Sequence, residues 1–328
     1  MPETWTVRRL RSWISTFLTE KSVDSPTVCA DLLIAHVLGC DRMRLYMDPD
    51  RPANAEELAK LRGLVQRAGR HEPVQYLVGT WSFFGCEIEV GPATLIPRPA
   101  TESLVEEALR LLRGSDGGLL TVEEIRIADL CTGSGCVAIA IAKSLAAAHS
   151  GRKQLSWRKQ GAEVVDGAVV AEPPTRGGVR IYATEIVLAA AEMARRNVKS
   201  LGFDSLIEVL EGDLDAPLIG RELEGTLDLL CANPPYISDA EWAEVPKNVR
   251  EFEPSTALRG GRDGLDFVRR IVSASPKWLK PSGSILVEIS SSQGASATSI
   301  AADLGYRDIR ILPDLEGHPR ILAAVRPH

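Results

Sequence analysis

Asp129-Leu130-Cys131-Thr132-Gly133-Ser134-Gly135 leaves a short apolar strand and enters a helix. Glycines at such a junction let a ligand approach the backbone where a side chain would clash. The free N–H groups at the start of the helix face the same place. A tight turn without a ligand is the alternative interpretation of a GxG pattern. Because this one follows the first strand of an α/β arrangement, the sequence favours a nucleotide-type site here.

Short apolar strands alternate with longer helices from about residue 93 onward. Helices are predicted over residues 101–112, 136–148, 186–199 and 264–280. Seven strands are predicted over residues 125–130, 179–184, 206–210, 227–232, 284–289, 309–312 and 321–325. This alternation is typical of an α/β fold with a Rossmann-like, mostly parallel sheet and helices on both faces. Ligands of such sheets bind at the carboxyl ends of the strands.

Residues 149–178 do not follow this alternation. The segment is rich in glycine, and it also carries Pro173 and Pro174 and several basic residues. We interpret it as a surface insertion within a domain that covers residues 93–328, and a solvated loop is favoured over a functional arm.

The first part of the chain has a helical pattern. Apolar residues recur at three- and four-residue spacing, which predicts helices over residues 7–18, 28–38 and 53–68, with Gly39 as a C-cap. We therefore expect a small helical domain over residues 1–71. In residues 72–92 the alternation of Cys86, Ile88 and Val90 with glutamates after a glycine turn predicts a β-hairpin linker.

Composition excludes several classes of protein. The 328 residues are 45% hydrophobic and 25% charged, so disorder of the whole chain is excluded. The net charge of −6 argues against a basic nucleic-acid binder. No apolar run approaches the ~18 residues needed to cross a bilayer, and we expect no signal peptide. Six cysteines without paired spacing predict reduced thiols in a cytoplasmic protein and no metal site.

Glu185 ends the second predicted strand of the α/β region. An acidic residue at that place is expected to hydrogen-bond a ribose diol, although an exposed carboxylate at a helix start is the simpler alternative. No lysine follows the glycines, which excludes a P-loop. Ala138 stands where a dinucleotide fingerprint would have its third glycine, so the cofactor is not expected to be a dinucleotide.

A second motif, Asn233-Pro234-Pro235-Tyr236, directly follows the apolar strand 227–232. Two prolines remove two N–H donors and stiffen the turn, so nearby carbonyls are left free to accept hydrogen bonds. Asn233 adds a side-chain carbonyl and Tyr236 adds an aromatic face. A rigid turn with acceptors beside an aromatic ring suits a planar NH₂ group attached to a π system. A plain turn is the alternative interpretation.

The glycine turn, Glu185 and Asn233-Pro234-Pro235-Tyr236 together resemble a class I S-adenosylmethionine-dependent methyltransferase that acts on amino groups. Further stretches resemble the peptide chain release factor N5-glutamine methyltransferases (PrmC/HemK family). They are the PxxYLxG stretch at 73–79, the LIPRPxTE stretch at 95–102, the EPxxAL and GxxGL stretches at 253–258 and 261–265, and the pair Glu288 and Gln293. The resemblance covers nearly the whole chain.

The resemblance implies roles for individual residues. It implies catalytic and substrate-binding roles for Asn233, Pro234, Pro235 and Tyr236, with Arg98 as a further substrate-binding residue. S-adenosyl-L-methionine is the implied cofactor, and no metal is implied. Its implied contacts are Asp129, Cys131, Thr132, Gly133, Ser134, Gly135, Glu185, Asp213, Leu214 and Asn233.

Departures from the family pattern affect the cofactor site. Cys131 stands at the first glycine of the family's DLGTGSG, where it would crowd the cofactor if the position requires a positive φ. Glu185 replaces the usual Asp at the ribose position. Ala100 and Ser290 replace a Glu and a Gly and are interpreted as edge variations.

The implied substrate is the glutamine of the GGQ tripeptide in class-1 release factors. By the same resemblance the helical domain docks that protein, and the enzyme is expected to be a monomer without direct nucleic-acid or membrane contacts. Three alternatives stay open: an adenine-N6 DNA or RNA methyltransferase, a ribosomal-protein glutamine methyltransferase, and a catalytically silent docking protein. The acidic net charge disfavours the nucleic-acid methyltransferase. The PRP stretch around Arg98 disfavours the ribosomal-protein methyltransferase, and the intact Asn233-Pro234-Pro235-Tyr236 motif disfavours the silent docking protein.

Overall fold

The computed structural model describes residues 4–112, 124–157 and 178–327. Its N-terminal part is helical. Thr6 and Asn54 begin two of these helices by accepting backbone hydrogen bonds, and Gly39, at φ +61°, ends another as predicted. The helices enclose a separate hydrophobic cluster built around Ile14 and Leu33. They are α1 (Val7–Glu20), α2 (Pro26–Leu38), α3 (Arg42–Met47) and α4 (Ala55–Ala68).

The predicted hairpin is present but starts later than expected. Its strands are β1 (Thr80–Phe83) and β2 (Cys86–Glu89), which pair antiparallel. The prediction that residues 76–79 belong to the hairpin is wrong, because α5 (Val74–Val78) occupies this stretch. Pro73 precedes this helix and Gly79, at φ +84°, ends it, while Leu77 and Tyr76 are buried in two different hydrophobic clusters. A local sequence pattern cannot predict this helix, because its neighbouring residues are buried in two different clusters.

Seven strands form one sheet in the order β5-β4-β3-β6-β7-β9-β8, and β9 runs antiparallel to both of its neighbours. The predicted α/β class and the seven strands are confirmed. The strand order reverses between β3 and β6, so the crevice at their carboxyl ends is the expected ligand site. The strands are β3 (Glu124–Leu130), β4 (Gly178–Glu185), β5 (Ile207–Glu211), β6 (Leu227–Ala232), β7 (Leu279–Glu288), β8 (Arg307–Pro313) and β9 (Pro319–Val325).

Helices cover both faces of this sheet. Every residue of β6 is buried, as expected for a central parallel strand with both faces covered. One hydrophobic cluster joins the hairpin, α6, α7 and α8 to one face, and a second cluster joins α10 and α11 to the other. The helices of this part are α6 (Pro99–Leu111), α7 (Cys136–Trp157), α8 (Leu188–Ser200), α9 (Lys247–Phe252), α10 (Asp266–Trp278) and α11 (Gly294–Asp303).

Several boundaries differ from the predictions. The helix predicted to end at Ala148 continues to Trp157, so the insertion expected at 149–178 begins inside a helix. The rest of that segment, residues 158–177, lies outside the described residues. The helices α3, α9 and α11 were not predicted, because two are six residues long and the third has few large apolar residues. No helix in the described part of the chain is long and apolar enough to cross a membrane.

Candidate active site

A cavity of about 430 Å³ opens where the sheet changes direction, at the carboxyl ends of β3 and β6. Such a volume falls within the range of about 300–1,000 Å³ usual for small-molecule sites. Four predicted site residues do not line it: Gly135, Pro234, Tyr236 and Arg98. The predicted residues that line it are Asp129, Cys131, Thr132, Gly133, Ser134, Glu185, Asp213, Leu214, Asn233 and Pro235.

Asp129 stabilises the glycine turn through side-chain hydrogen bonds. Its Oδ2 accepts hydrogen bonds from the Thr132 hydroxyl at 2.6 Å and from the Ala138 backbone N–H at 3.2 Å. Burial raises the pKa of this carboxyl group to about 7, although both hydrogen bonds lower it. Asp129 thereby joins the end of β3 to the first turn of α7.

The two glycines of the turn have different roles. Gly133 has φ +58°, and a Cβ atom placed on it would meet nothing within 4 Å, so the backbone there is open to a ligand. Gly135 has φ +81°, and a Cβ atom on it would contact Ala194 and Ile139 at 3.4 Å. Gly135 therefore serves close helix packing, whereas sequence reasoning had placed both glycines against the ligand.

Cys131 adopts φ +58°, the left-handed region that favours glycine. The position thus requires the positive φ that the family's glycine supplies. Its side chain lines the cavity, and burial together with the nearby Glu185 carboxylate raises the pKa of the thiol. The Sγ atom is therefore a neutral, weakly polar group in the cavity wall.

The Glu185 carboxylate is anchored by two backbone groups. Its Oε2 accepts the Gly133 N–H at 2.9 Å, and its Oε1 accepts the Val187 N–H at 3.0 Å. Burial raises the pKa of this group and the backbone hydrogen bonds lower it. Each carboxylate oxygen keeps a free lone pair for a further donor, because an ionised carboxyl group has about four acceptor positions.

Asp213 and Leu214 follow β5 and form another part of the wall. The Asp213 carboxylate is paired with the Arg270 guanidinium at 2.6 Å. Leu214 has φ +48° and is almost fully buried. Phe267, which was not predicted, lines the same cavity and lies under the Arg270 guanidinium. Local sequence patterns give no signal for Phe267, because it reaches the cavity from α10 through the tertiary fold.

Asn233 presents a free acceptor at the edge of β6. Its Nδ2 donates to the Thr101 hydroxyl at 3.1 Å. Its Oδ1 is buried and has no hydrogen-bond partner among the described residues. A buried carbonyl oxygen without a donor is costly unless a ligand or water supplies one. Thr101, a missed site residue, is separated from Asn233 by 132 positions in the sequence.

Tyr236 lines a neighbouring cavity of about 160 Å³, together with Arg98 and Leu258. Burial and the nearby Glu288 carboxylate raise the pKa of its hydroxyl to about 12, so the phenol stays protonated. The Arg98 guanidinium is ion-paired with Glu253, whose other carboxylate oxygen accepts the Ile96 backbone N–H at 3.1 Å. Arg98 therefore connects the loop before α6 to the loop after α9, in addition to lining this second cavity.

The turn after Asn233 is held in place by residues that follow it later in the chain. The Gln293 amide donates to the Tyr236 backbone carbonyl at 2.9 Å. A Cβ atom placed on Gly264 would lie 2.3 Å from that same carbonyl oxygen, and one on Gly260 would lie 2.8 Å from the Pro235 carbonyl. The glycines of this loop therefore allow two backbone segments to touch.

The residues that line the cavity fit a nucleoside better than a metal. The cavity joins the fixed Glu185 carboxylate and the open Gly133 backbone to an apolar wall that includes Val137 and Phe267. This combination matches a ribose and a flat apolar base. No group of three or more metal-ligating side chains occurs in the described part of the chain.

Comparison with known proteins identifies the family. Residues 9–79 match a family model described as the PrmC N-terminal domain. The release factor glutamine methyltransferase of Rhodopirellula baltica is 37% identical over 97% of this chain and 96% of its own length. Those of Geobacter sulfurreducens and Chlorobaculum tepidum are 35% and 32% identical, over 98% and 96% of this chain and 97% and 96% of their own lengths. By this similarity over nearly its full length, the chain belongs to the release factor glutamine methyltransferase family.

Proposed function

We propose that this protein transfers a methyl group from S-adenosyl-L-methionine to the side-chain amide N5 of the glutamine in the GGQ motif of class-1 peptide chain release factors. The unpartnered Oδ1 of Asn233 at the cavity wall is the observation that carries this proposal. An amide NH₂ group supplies the donor that this oxygen lacks. The names of the relatives support the same substrate class.

The proposed cofactor contacts are residues of the cavity wall. Glu185 accepts hydrogen bonds from the ribose diol, and Gly133 leaves the backbone open beside it. Asp213 and Leu214 contribute the wall after β5. When bound, S-adenosylmethionine supplies an electrophilic methyl group on a sulfonium. Asp129 and Gly135 act indirectly in this scheme, because they shape the glycine turn.

In the proposed reaction Asn233 orients the amide nitrogen that receives the methyl group. An amide nitrogen is a poor nucleophile, because its lone pair is delocalised into the carbonyl. In the proposed scheme Asn233 Oδ1 and the Pro234 backbone carbonyl accept the two amide hydrogens. These acceptors fix the orientation of the nitrogen and stabilise the positive charge that develops on it during attack. The stiff Pro234-Pro235 turn keeps them in place, and alignment with the methyl group adds a proximity effect.

The neighbouring cavity is proposed to take the rest of the substrate loop. Tyr236 and Arg98 both line it, and it adjoins the main cavity because Leu95 and Ala257 belong to both walls.

We further propose that residues 1–71 form a domain that docks the release factor, that residues 72–92 link it to the methyltransferase domain at 93–328, and that the protein is a cytoplasmic monomer. All six cysteines are free thiols, which supports a reducing compartment.

Mass spectrometry of a purified release factor, after incubation with this protein and labelled S-adenosylmethionine, tests the proposal. One methyl group on the GGQ glutamine is the expected result. Asn233→Ala should abolish the transfer while cofactor binding, measured by calorimetry, is retained. Near-normal turnover in that variant would contradict the role of Asn233. Bound cofactor without any transfer by the wild type would contradict the proposed substrate and favour a ribosomal protein or a nucleic acid.

A further inference from the structure

Residues 93–98, which we call the wall loop, border both cavities. They lie between the hairpin and α6, and they belong to no helix or strand. Leu95 lines both the main and the neighbouring cavity, while Thr94 lines only the first and Arg98 only the second. Pro97 has no N–H to donate. The wall loop therefore depends on contacts with other parts of the chain for its position.

The side chain of Tyr76 provides one of these contacts. Its hydroxyl donates to the Thr94 backbone carbonyl at 2.6 Å, and the two residues are only 8% and 1% exposed. Burial and the nearby Glu253 carboxylate raise the pKa of this phenol, so it stays protonated and keeps its hydrogen for the carbonyl. Loss of this donor would leave a buried carbonyl oxygen unsatisfied, which is costly.

Glu253 provides a second contact two residues further along the loop. One of its carboxylate oxygens accepts the Ile96 N–H at 3.1 Å, and the other is paired with Arg98. Tyr76 belongs to the PxxYLxG stretch and Glu253 to the EPxxAL stretch, which the proposed reaction has not used. The two stretches therefore hold the wall loop at two points from distant parts of the chain.

The position of the wall loop is passed on to Asn233. The helix α6 begins directly after the loop, and the Thr101 N–H in its first turn donates to the Arg98 carbonyl at 3.0 Å. Thr101 Oγ1 in turn accepts a hydrogen bond from Asn233 Nδ2 at 3.1 Å. A shift of the wall loop thus moves the group that holds the Asn233 amide. Small displacements of an aligned reacting group lower the rate strongly.

The helix that carries Tyr76 is packed against the helical part of the chain. Val74 and Leu77 are buried in the hydrophobic cluster of that part, whereas Tyr76 is buried in a cluster of the sheet. The helix α5 also contacts α2 and α4. The residue that holds the wall loop is therefore itself fixed by the N-terminal helices.

We propose that Tyr76 is a positioning residue, whose hydroxyl fixes the wall loop and, through Thr101, the Asn233 amide. This inference rests on the proposed function, and it gives the segment between the helical and sheet regions a role in the transfer step. Tyr76 lines neither cavity, so its effect on the reaction passes through the wall loop.

Tyr76→Phe tests the proposal by steady-state kinetics on a release factor substrate. The variant keeps the buried ring and removes only the hydroxyl. It should lower kcat about 10-fold, which corresponds to one hydrogen bond of about 1.4 kcal/mol. The KM for the release factor should stay within about twofold of the wild type, because docking is not affected. A higher KM with unchanged kcat would overturn the proposal, since Tyr76 would then act on docking.

Tyr306→Phe is the matched control for a merely structural effect. Tyr306 is 6% exposed, and its hydroxyl donates to the Val272 backbone carbonyl at 2.8 Å and also contacts the Ser275 hydroxyl. None of these residues lines either cavity. The control should lose thermal stability as Tyr76→Phe does, but it should keep its kcat. A similar loss of kcat in both variants, or a loss of stability alone in Tyr76→Phe, would overturn the proposal.

Two further measurements test the route from Tyr76 to Asn233. Hydrogen exchange of the wall loop amides should become faster in Tyr76→Phe and stay unchanged in Tyr306→Phe. The effect of Tyr76→Phe on kcat should become smaller in a Thr101→Val background, and fully additive effects would overturn the route. Absence of transfer by the wild type would instead refute the proposed function. The exchange measurement does not depend on activity, so the two failures are distinguishable.

Discussion

Gly264→Ala should slow methyl transfer about 100-fold and leave the proposed cofactor contacts around Glu185 in place. A Cβ atom at this position would lie 2.3 Å from the Tyr236 carbonyl oxygen and 2.4 Å from the Gln293 amide nitrogen. Contacts of Cβ atoms below 3.0 Å essentially do not occur, so the turn that carries Asn233 must move by about 0.7 Å. A displacement approaching 1 Å in an aligned site costs about 100-fold in rate, or about 2.7 kcal/mol. The residues around Glu185 lie on other strands and should not move.

Gly202→Ala is the matched control for this substitution. Both glycines have φ +76°, so both variants carry the same backbone cost of about 1–2 kcal/mol for an alanine in the left-handed region. Nothing lies within 4 Å of a Cβ atom on Gly202, so only Gly264→Ala adds a clash with the turn. Single-turnover methyl transfer, cofactor titration and thermal denaturation should be measured on both. Transfer rates of the two variants within about twofold of each other would refute the reasoning.

Substitutions at four further positions test the cofactor site and the loops around it. Glu185→Ala removes the proposed ribose acceptor and the anchor of the Gly133 backbone, and calorimetry should show cofactor binding weakened at least about 10-fold. Cys131→Val places a β-branched residue at φ +58° and should lower the melting temperature, whereas Cys131→Gly should not. Arg98→Ala leaves the Glu253 carboxylate buried without its partner and should destabilise the fold by about 3 kcal/mol in urea titrations. Burial raises the pKa of Asp129 to about 7, so the neutral carboxyl group stabilises the folded state at acid pH, and this stabilisation is lost as the pH rises toward 7. Asp129→Asn should therefore make the free energy of unfolding, measured by urea titration at several pH values, depend less on pH over this range.

The central strands were predictable because burial on both faces leaves a continuous apolar run. Residues 227–232 illustrate this, since the predicted and observed bounds of β6 are the same. Short helices gave weaker signals. The helix α5 was mistaken for part of the hairpin linker, because its five residues are too few to show a helical period and their burial is divided between two clusters.

The candidate site was predictable only where its residues stand next to one another in the chain. The turns at 129–135 and 233–236 were found because prolines and glycines restrict the backbone locally. Tyr236 was expected beside Asn233 in one site, yet it lines the neighbouring cavity and Asn233 lines the main one. The roles of Gly264 and Gln293 depend on contacts with that turn and have no local signature.

The sequence by itself determined the fold class and the position of the site at the strand ends, and it supplied Glu185 as the proposed ribose acceptor and Asn233 as the proposed amide acceptor. These follow from local preferences of glycine and proline and from apolar periodicity, which act over a few residues. Only the tertiary structure decided that Thr101 lies against Asn233, and that Arg98 is committed to Glu253. These contacts join residues more than a hundred positions apart, and they exist because β6 and β7 are neighbours in the sheet and α6 packs against them. Strand order is set by packing of the whole chain, so no local pattern specifies it.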